Sequence, residues 1–300
     1  MRLNVRRCLM AALLAVPAIA GAIPIQSSTG NFVTFRDCTG PSGALCSTLG
    51  PIVQSTYGGE PGALTATASI SSALYGTAIS RTDLSGTDGE PILRLYAESE
   101  PGRRVSTNTF GLQRYTYTGL GPTTRSMSGV LEYSQSITDP NNPLYGTARS
   151  GIFADLLVFS TFDGFAEAGT TAQTNFDNLF NFAGGAALGY SLIGEQVYDD
   201  PNDAPSGSAP FNIIVNFNPG DSVWVYAFLQ TPAADGSWVD SLNTFITAWD
   251  NTADLVPANV YRPVSVPEPG SLALLGLALG VLAVLAIMRR REFTAQRLKT

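Results

Sequence analysis

The sequence predicts a mainly β protein, a β-sandwich or jelly-roll-like body with one membrane helix at its C-terminal end. Three observations carry that reading. Residues 64–74 alternate apolar and polar side chains with a period of two, Ser222–Leu229 is apolar on both of its faces, and Leu272–Met288 is a long apolar run without a charge.

Taken in chain order, residues 1–22 read as a secretory signal peptide. Arg2, Arg6 and Arg7 form a positive start, and Cys8–Ala20 is a 13-residue apolar stretch. Small residues follow in the frames Ala18-Ile19-Ala20 and Ala20-Gly21-Ala22. Thirteen residues rise about 20 Å as a helix, short of the roughly 30 Å hydrocarbon core of a bilayer. The Arg6-Arg7 pair fits twin-arginine export poorly, because Val5 and Cys8 flank it.

Residues 23–262 form the exported body. Leu64, Ala66, Ala68, Ile70 and Leu74 alternate with Thr65, Thr67, Ser69, Ser71 and Ala73, the pattern of a strand with one face in the core and one in water. In Ser222–Leu229, Val223, Val225, Ala227 and Leu229 face one way and Trp224, Tyr226 and Phe228 the other, which predicts a central strand. Pro219-Gly220-Asp221 supplies the turn before it. Ile152–Phe159 and Leu242–Trp249 are further inner-strand candidates, Arg114–Thr118 and Val130–Ser136 shorter ones. Gly58-Gly59, Asp88-Gly89, Pro101-Gly102, Asp139-Pro140-Asn141-Asn142 and Asp235-Gly236 punctuate them as turns. Phe176, Leu179 and Phe180 have helical spacing, so Thr174–Phe182 reads as one short helix, and residues 199–210 as a long polar loop between strands. No repeat of 20–50 residues suggests a solenoid or propeller.

Composition excludes several kinds of chemistry. The 300 residues contain no His, which removes His-ligated zinc and any Ser-His-Asp or Cys-His catalytic set. Lys299 is the single lysine, and residues 23–266 carry 9 Arg against 22 Asp and Glu, a net of −13. That segment lacks the basic footprint of a nucleic-acid binder, so no nucleic-acid partner is expected. Cys8 leaves with the signal peptide, and Cys38 and Cys46 remain, separated by seven residues. Export puts them in an oxidising compartment, where a disulfide is the default and removes about 2.5 kcal/mol of unfolded-chain entropy. A redox pair would need a C-x-x-C-like spacing that is absent.

Candidate sites in the body are few. Asp199, Asp200, Asn202 and Asp203 offer oxygen ligands of the kind calcium takes, but Pro201 interrupts them and EF-hand spacing is missing, so a solvated acidic loop is the expectation. Asp155 sits mid-strand among apolar neighbours and Glu132 on another strand, the two acids a glycosidase would need on neighbouring strands. Arg149 or Arg114 would equally serve Asp155 as an ion-pair partner. Trp238, Tyr57 and Tyr190 lie near loops, where aromatic rings stack on sugars or simply join the core. The body therefore points to no enzyme and no cofactor.

Residues 263–269 are a linker, 270–288 the membrane helix and 289–300 a basic tail. Nineteen helical residues span about 28 Å. Their seven Leu, two Val and one Ile favour insertion by roughly 3–6 kcal/mol. Arg289, Arg290 and Arg291 follow at once, which places the tail in the cytoplasm and the body outside. Immediately before the span stands Val266-Pro267-Glu268-Pro269, held extended by its two prolines.

A Pro-Glu-Pro, a Leu/Ala/Gly-rich span and an Arg cluster, in that order, closely resemble the PEP-CTERM sorting signal of exported proteins from Gram-negative bacteria. The resemblance implies that Pro267, Glu268 and Pro269 are recognised by an exosortase, an integral-membrane cysteine protease, after insertion in the lipid bilayer. It also implies a route from the inner membrane to the cell envelope or exterior, and a non-enzymatic role in the envelope or in an exopolysaccharide or biofilm matrix. A lectin-like carbohydrate-binding protein or a carboxylate-based glycosidase on the same sandwich is the alternative.

Overall fold

The computed structural model describes residues 27–39, 48–86, 88–138, 150–162, 171–174, 176–177, 190–200 and 205–258. The signal peptide, Cys46, Arg149, Asp203, the Pro-Glu-Pro motif, the C-terminal apolar run and the Arg cluster lie outside the described residues. Among those described, no helix is long and apolar enough to cross a membrane.

Among the described residues thirteen strands appear in chain order: β1 (Ser27–Thr39), β2 (Thr48–Gly58), β3 (Thr65–Ser72), β4 (Gly76–Asp83), β5 (Ile92–Ser99), β6 (Arg103–Tyr117), β7 (Thr123–Ser136), β8 (Ile152–Phe162), β9 (Tyr190–Asp200), β10 (Ser206–Phe217), β11 (Ser222–Ala234), β12 (Trp238–Trp249) and β13 (Leu255–Pro257). They form two antiparallel sheets. The first runs β2-β1-β6-β11-β8-β9, with β13 added to β6; the second runs β10-β7-β12-β5-β4-β3.

The two sheets share one core. Leu93 and Leu95 of β5, Leu131 of β7, Phe211 of β10 and Phe245 of β12 pack with Leu156 of β8 and Val225 and Leu229 of β11. A second inter-sheet cluster joins Val33 and Phe35 of β1 and Val105 of β6 to Ala68 and Ile70 of β3 and Ala78 of β4. A polar patch is also buried between the sheets. Thr82 Oγ1 donates to Asn31 Oδ1 at 2.7 Å and Thr109 Oγ1 to the same oxygen at 3.0 Å. Asn31 Nδ2 in turn donates to the Ala66 carbonyl at 3.2 Å, tying β1 to edge strand β3. Each such group would cost about 1–3 kcal/mol if left unpaired, so the network fixes how the sheets align.

The sheets differ in their outer faces. On the six-stranded sheet burial alternates strictly, as in β3, where Ala66, Ala68 and Ile70 are buried and Thr65, Thr67 and Ser69 exposed. At the central strands β1, β6, β11 and β8 of the seven-stranded sheet both faces are covered, while edge strands β2 and β9 are largely exposed. Phe110, Leu112, Leu157, Phe159, Trp224, Tyr226 and Phe228 form a separate aromatic cluster on its outer side, and Phe176 is buried against them. Phe176 lies 5.3 Å from Phe32 and 5.9 Å from Phe110 between ring centroids. This explains β11: a strand apolar on both sides sits where both sides are dry.

Several expectations hold in altered form. Ser222–Leu229 lies within β11, between β6 and β8, and the Arg114–Thr118 and Val130–Ser136 candidates are ends of the long strands β6 and β7. Leu242–Trp249 falls in β12, central by position, yet Ile246 is 46% exposed because the outer face of its sheet is wet. Leu74 does not continue β3; it is 57% exposed in the turn to β4. The polar loop expected over 199–210 is shorter, because Asp199 and Asp200 pair with β8 and Ser206–Pro210 open β10. Gly220, with φ of 87°, makes the turn into β11, and Asp235 and Gly236, with φ of 55° and 79°, make the one after it.

Candidate functional site

Three places bear on the chemistry the sequence suggests. The first surrounds Asp155. Residues 152, 154, 156 and 158 of β8 face the shared core, so Asp155 points to the opposite, aromatic side, where it is 2% exposed. The register sets Asp155 opposite Val197 and Leu157 opposite Glu195, which brings the Glu195 side chain diagonally across on the same face. Burial, then the nearby carboxyl of exposed Glu195, raise the Asp155 carboxyl to about 7. Burial raises the neighbouring Tyr226 phenol well above its ordinary value, with the Asp155 charge adding to it. The buried Asp155 carboxyl therefore keeps its proton well above the ordinary carboxylate range.

Glu132 belongs to another place. Leu131 and Tyr133 of β7 face the shared core, so Glu132 projects from the outer face of the six-stranded sheet. Asp155 and Glu132 thus leave different sheets in opposite directions, and the carboxylate pair suggested by the sequence is not formed. Arg114, the other proposed partner of Asp155, lies over the Trp224 ring at 5.2 Å and donates to Ser222 Oγ at 3.0 Å.

The second place is a shallow depression of about 290 Å³ on that outer face, lined by Glu132, Tyr133, Ser134, Gly207, Ser208 and Asp240. Register explains its make-up: Ser208 pairs with Glu132, and Asp240 with both Ser134 and Tyr96. Asp240 also caps the irregularity in β12, accepting from the Leu242 amide at 2.8 Å. Tyr96 donates to Glu98 at 2.9 Å. Burial, the bond to Glu98 and the charges of Glu98 and Asp240 push its phenol up to about 12. Trp238 stands one strand position further along, opposite Glu98 and Ser136. Of the other aromatic candidates, Tyr57 is stacked on Phe32 at 4.3 Å and belongs to the aromatic cluster, while Tyr190 begins β9.

The calcium candidates Asp199 and Asp200 end strand β9 rather than lining a loop. Among the described residues no three Cys, Asp or Glu side chains gather as a metal would need. Cys38 lies on β1 opposite Leu49, the strand position from which the expected link to Cys46 would start.

The third place is the C-terminal segment, and here comparison with known families is informative. Residues 265–291 match the PEP-CTERM protein-sorting motif. No curated protein matches the chain. The match takes in Pro267, Glu268 and Pro269, the apolar run and Arg289, Arg290 and Arg291, the three parts read from the sequence in their expected order. The motif marks export and membrane-anchored sorting by an exosortase, itself a membrane protein. Residues 265–291 thus carry a PEP-CTERM sorting signal, C-terminal in sequence to an antiparallel β body.

Proposed function

We propose that this is a non-enzymatic envelope protein, inserted by its C-terminal apolar run, processed by an exosortase at the Pro267-Glu268-Pro269 signal and delivered to the cell envelope or extracellular matrix. The sorting motif carries the reading. In the sequence two prolines flank Glu268 just before the apolar run, and proline favours the extended backbone that a protease cleft binds along its length. The opposed directions of Asp155 and Glu132 support a non-catalytic body, since glycosidases act with two carboxylates converging on one bond.

The test replaces Pro267-Glu268-Pro269 by three alanines in a host that has an exosortase, with one tag on the body and another on the tail. Export and insertion are retained, and the full-length form accumulates in the inner membrane. Release of a trimmed body at the wild-type rate overturns the reading.

A second reading, polysaccharide contact through the six-stranded sheet, is favoured by the depression that holds Glu132, Ser134, Ser208 and Asp240 beside Trp238 and Tyr96. Carboxylates and hydroxyls accept and donate to sugar hydroxyls, and an indole face stacks on a pyranose ring. Affinity electrophoresis in gels cast with the host's own exopolysaccharide checks it: wild type is retarded and Trp238→Ala is not. Equal mobility with and without polysaccharide excludes this reading and leaves the first one standing.

A further inference from the structure

On the outer side of the seven-stranded sheet, at the end away from Asp155, two arginines stand directly opposite one another. The β1–β6 register pairs Arg36 with Arg104 and Thr34 with Ser106. Like charges across an antiparallel pair repel at about 5 Å between Cα atoms.

Arg104 is only 3% exposed. Its Nε donates to Ser106 Oγ at 3.2 Å, while its Nη1 is buried and meets no acceptor. Arg36, half-buried beside it, spends one Nη1 on the Gly50 carbonyl at a long 3.4 Å. Asp37 is the next residue along β1, but it serves the other side of the sheet. It pairs with Arg103 and accepts from the Tyr75 hydroxyl at 3.0 Å, where Tyr75 stacks on the core residue Phe35. No other ion pair is found among the described residues. A buried guanidinium with a second one beside it and no counter-charge is among the costliest arrangements a core can hold.

We propose that Arg36 and Arg104 bind a small oxyanion, a sulfate, phosphate or carboxylate group, between them. The planar fork of a guanidinium suits such a group, and two forks facing across one strand pair would grip it from both sides. The Thr34 and Ser106 hydroxyls, paired on the same face one step along, complete the polar lining. Half-buried Arg36 provides the opening toward solvent. The depressed Arg104, brought down to about 10 by burial and by the Arg36 charge, agrees with a cation in need of a counter-ion.

The experiment titrates the detergent-purified full-length protein with sodium sulfate, phosphate or glucuronate against chloride at matched ionic strength, reading melting temperature and heat of binding. Wild type gives a saturable rise with the oxyanions. Arg104→Met gives only the linear rise that excluded salts cause in any protein. Should Arg104→Met fail to fold, Arg36→Gln carries the test, with affinity weaker by about tenfold or more. The three oxyanion arms separate a free inorganic ion from a sugar-borne carboxylate. Parallel responses of wild type and variants, or no saturable response in wild type, overturn the proposal, because the pair is then neutralised some other way.

Discussion

Asp155, 2% exposed on β8, stands diagonally across from Glu195 of edge strand β9 on the same face of the sheet. Burial, with that carboxyl nearby, lets Asp155 hold a proton that an isolated aspartate would have lost.

That relationship gives a pH prediction. The folded-state value of Asp155 is raised from 3.8 to about 7. Below the lower value both states hold the proton and nothing changes. Between the two values the unfolded chain releases it and the folded protein keeps it, so stability falls as pH rises and levels off above about 7. The total is of the order of 4 kcal/mol. Chemical denaturation of wild type should show this decline between pH 4 and 7. Asp155→Asn, which cannot ionise, should be largely free of it and more stable than wild type at pH 8. Identical pH profiles would mean that Asp155 is not the group responsible.

Packing beneath the aromatic cluster makes Gly30 irreplaceable. A Cβ added there would collide with the Phe110 ring, which Tyr226 at 5.7 Å and Phe176 at 5.9 Å hold in place. Gly30→Ala should lose about 1–3 kcal/mol, the usual cost of overpacking. A midpoint unchanged in urea unfolding would mean that the ring turns aside freely.

Core truncation should be costlier still. Phe245 is fully buried between the sheets, its ring tilted against that of Phe211 at 4.9 Å between centroids. Phe245→Ala is expected to lose about 3–5 kcal/mol, against less than about 0.5 kcal/mol for Ile246→Thr on the wet side of the same strand. Comparable losses at the two positions would contradict the assignment of the faces.

The cysteines offer a covalent test. Non-reducing mass spectrometry of exported protein should find Cys38 linked to Cys46; two free thiols would end the expectation.

Orientation can be read by proteolysis. Protease added to intact spheroplasts should digest the body and spare the Arg289–Thr300 tail, and a protected body would reverse the topology.

The sequence carries some of this more plainly than the rest. The sorting segment is fully legible, because its information is local: two prolines, a glutamate, an apolar run and three arginines within 27 residues. Strand β11 is legible because burial on both faces leaves no polar alternation. β9 and β10 were hidden: their Asp, Gly, Ser and Pro resemble a loop, and only pairing with β8 and β7 makes them strands. Asp155 stands out as a carboxylate among apolar residues, but its partner does not. Glu195 meets it through the β8–β9 register, and register belongs to the assembled sheet.

The order of strands in the seven-stranded sheet bears on how the protein crosses a membrane. β1 lies early in the chain, yet it pairs with β6, where Ser27 meets Gln113, and β6 pairs with β11, where Tyr115 meets Val223. The middle of the sheet is thus assembled from segments roughly a hundred residues apart, and such distant closures make folding slow. A chain threaded outward from its N-terminus cannot complete this sheet until β11 has emerged, nearly at the end of the body. Delay of that kind keeps the polypeptide thin enough to pass a narrow pore until the last strands of the body have emerged.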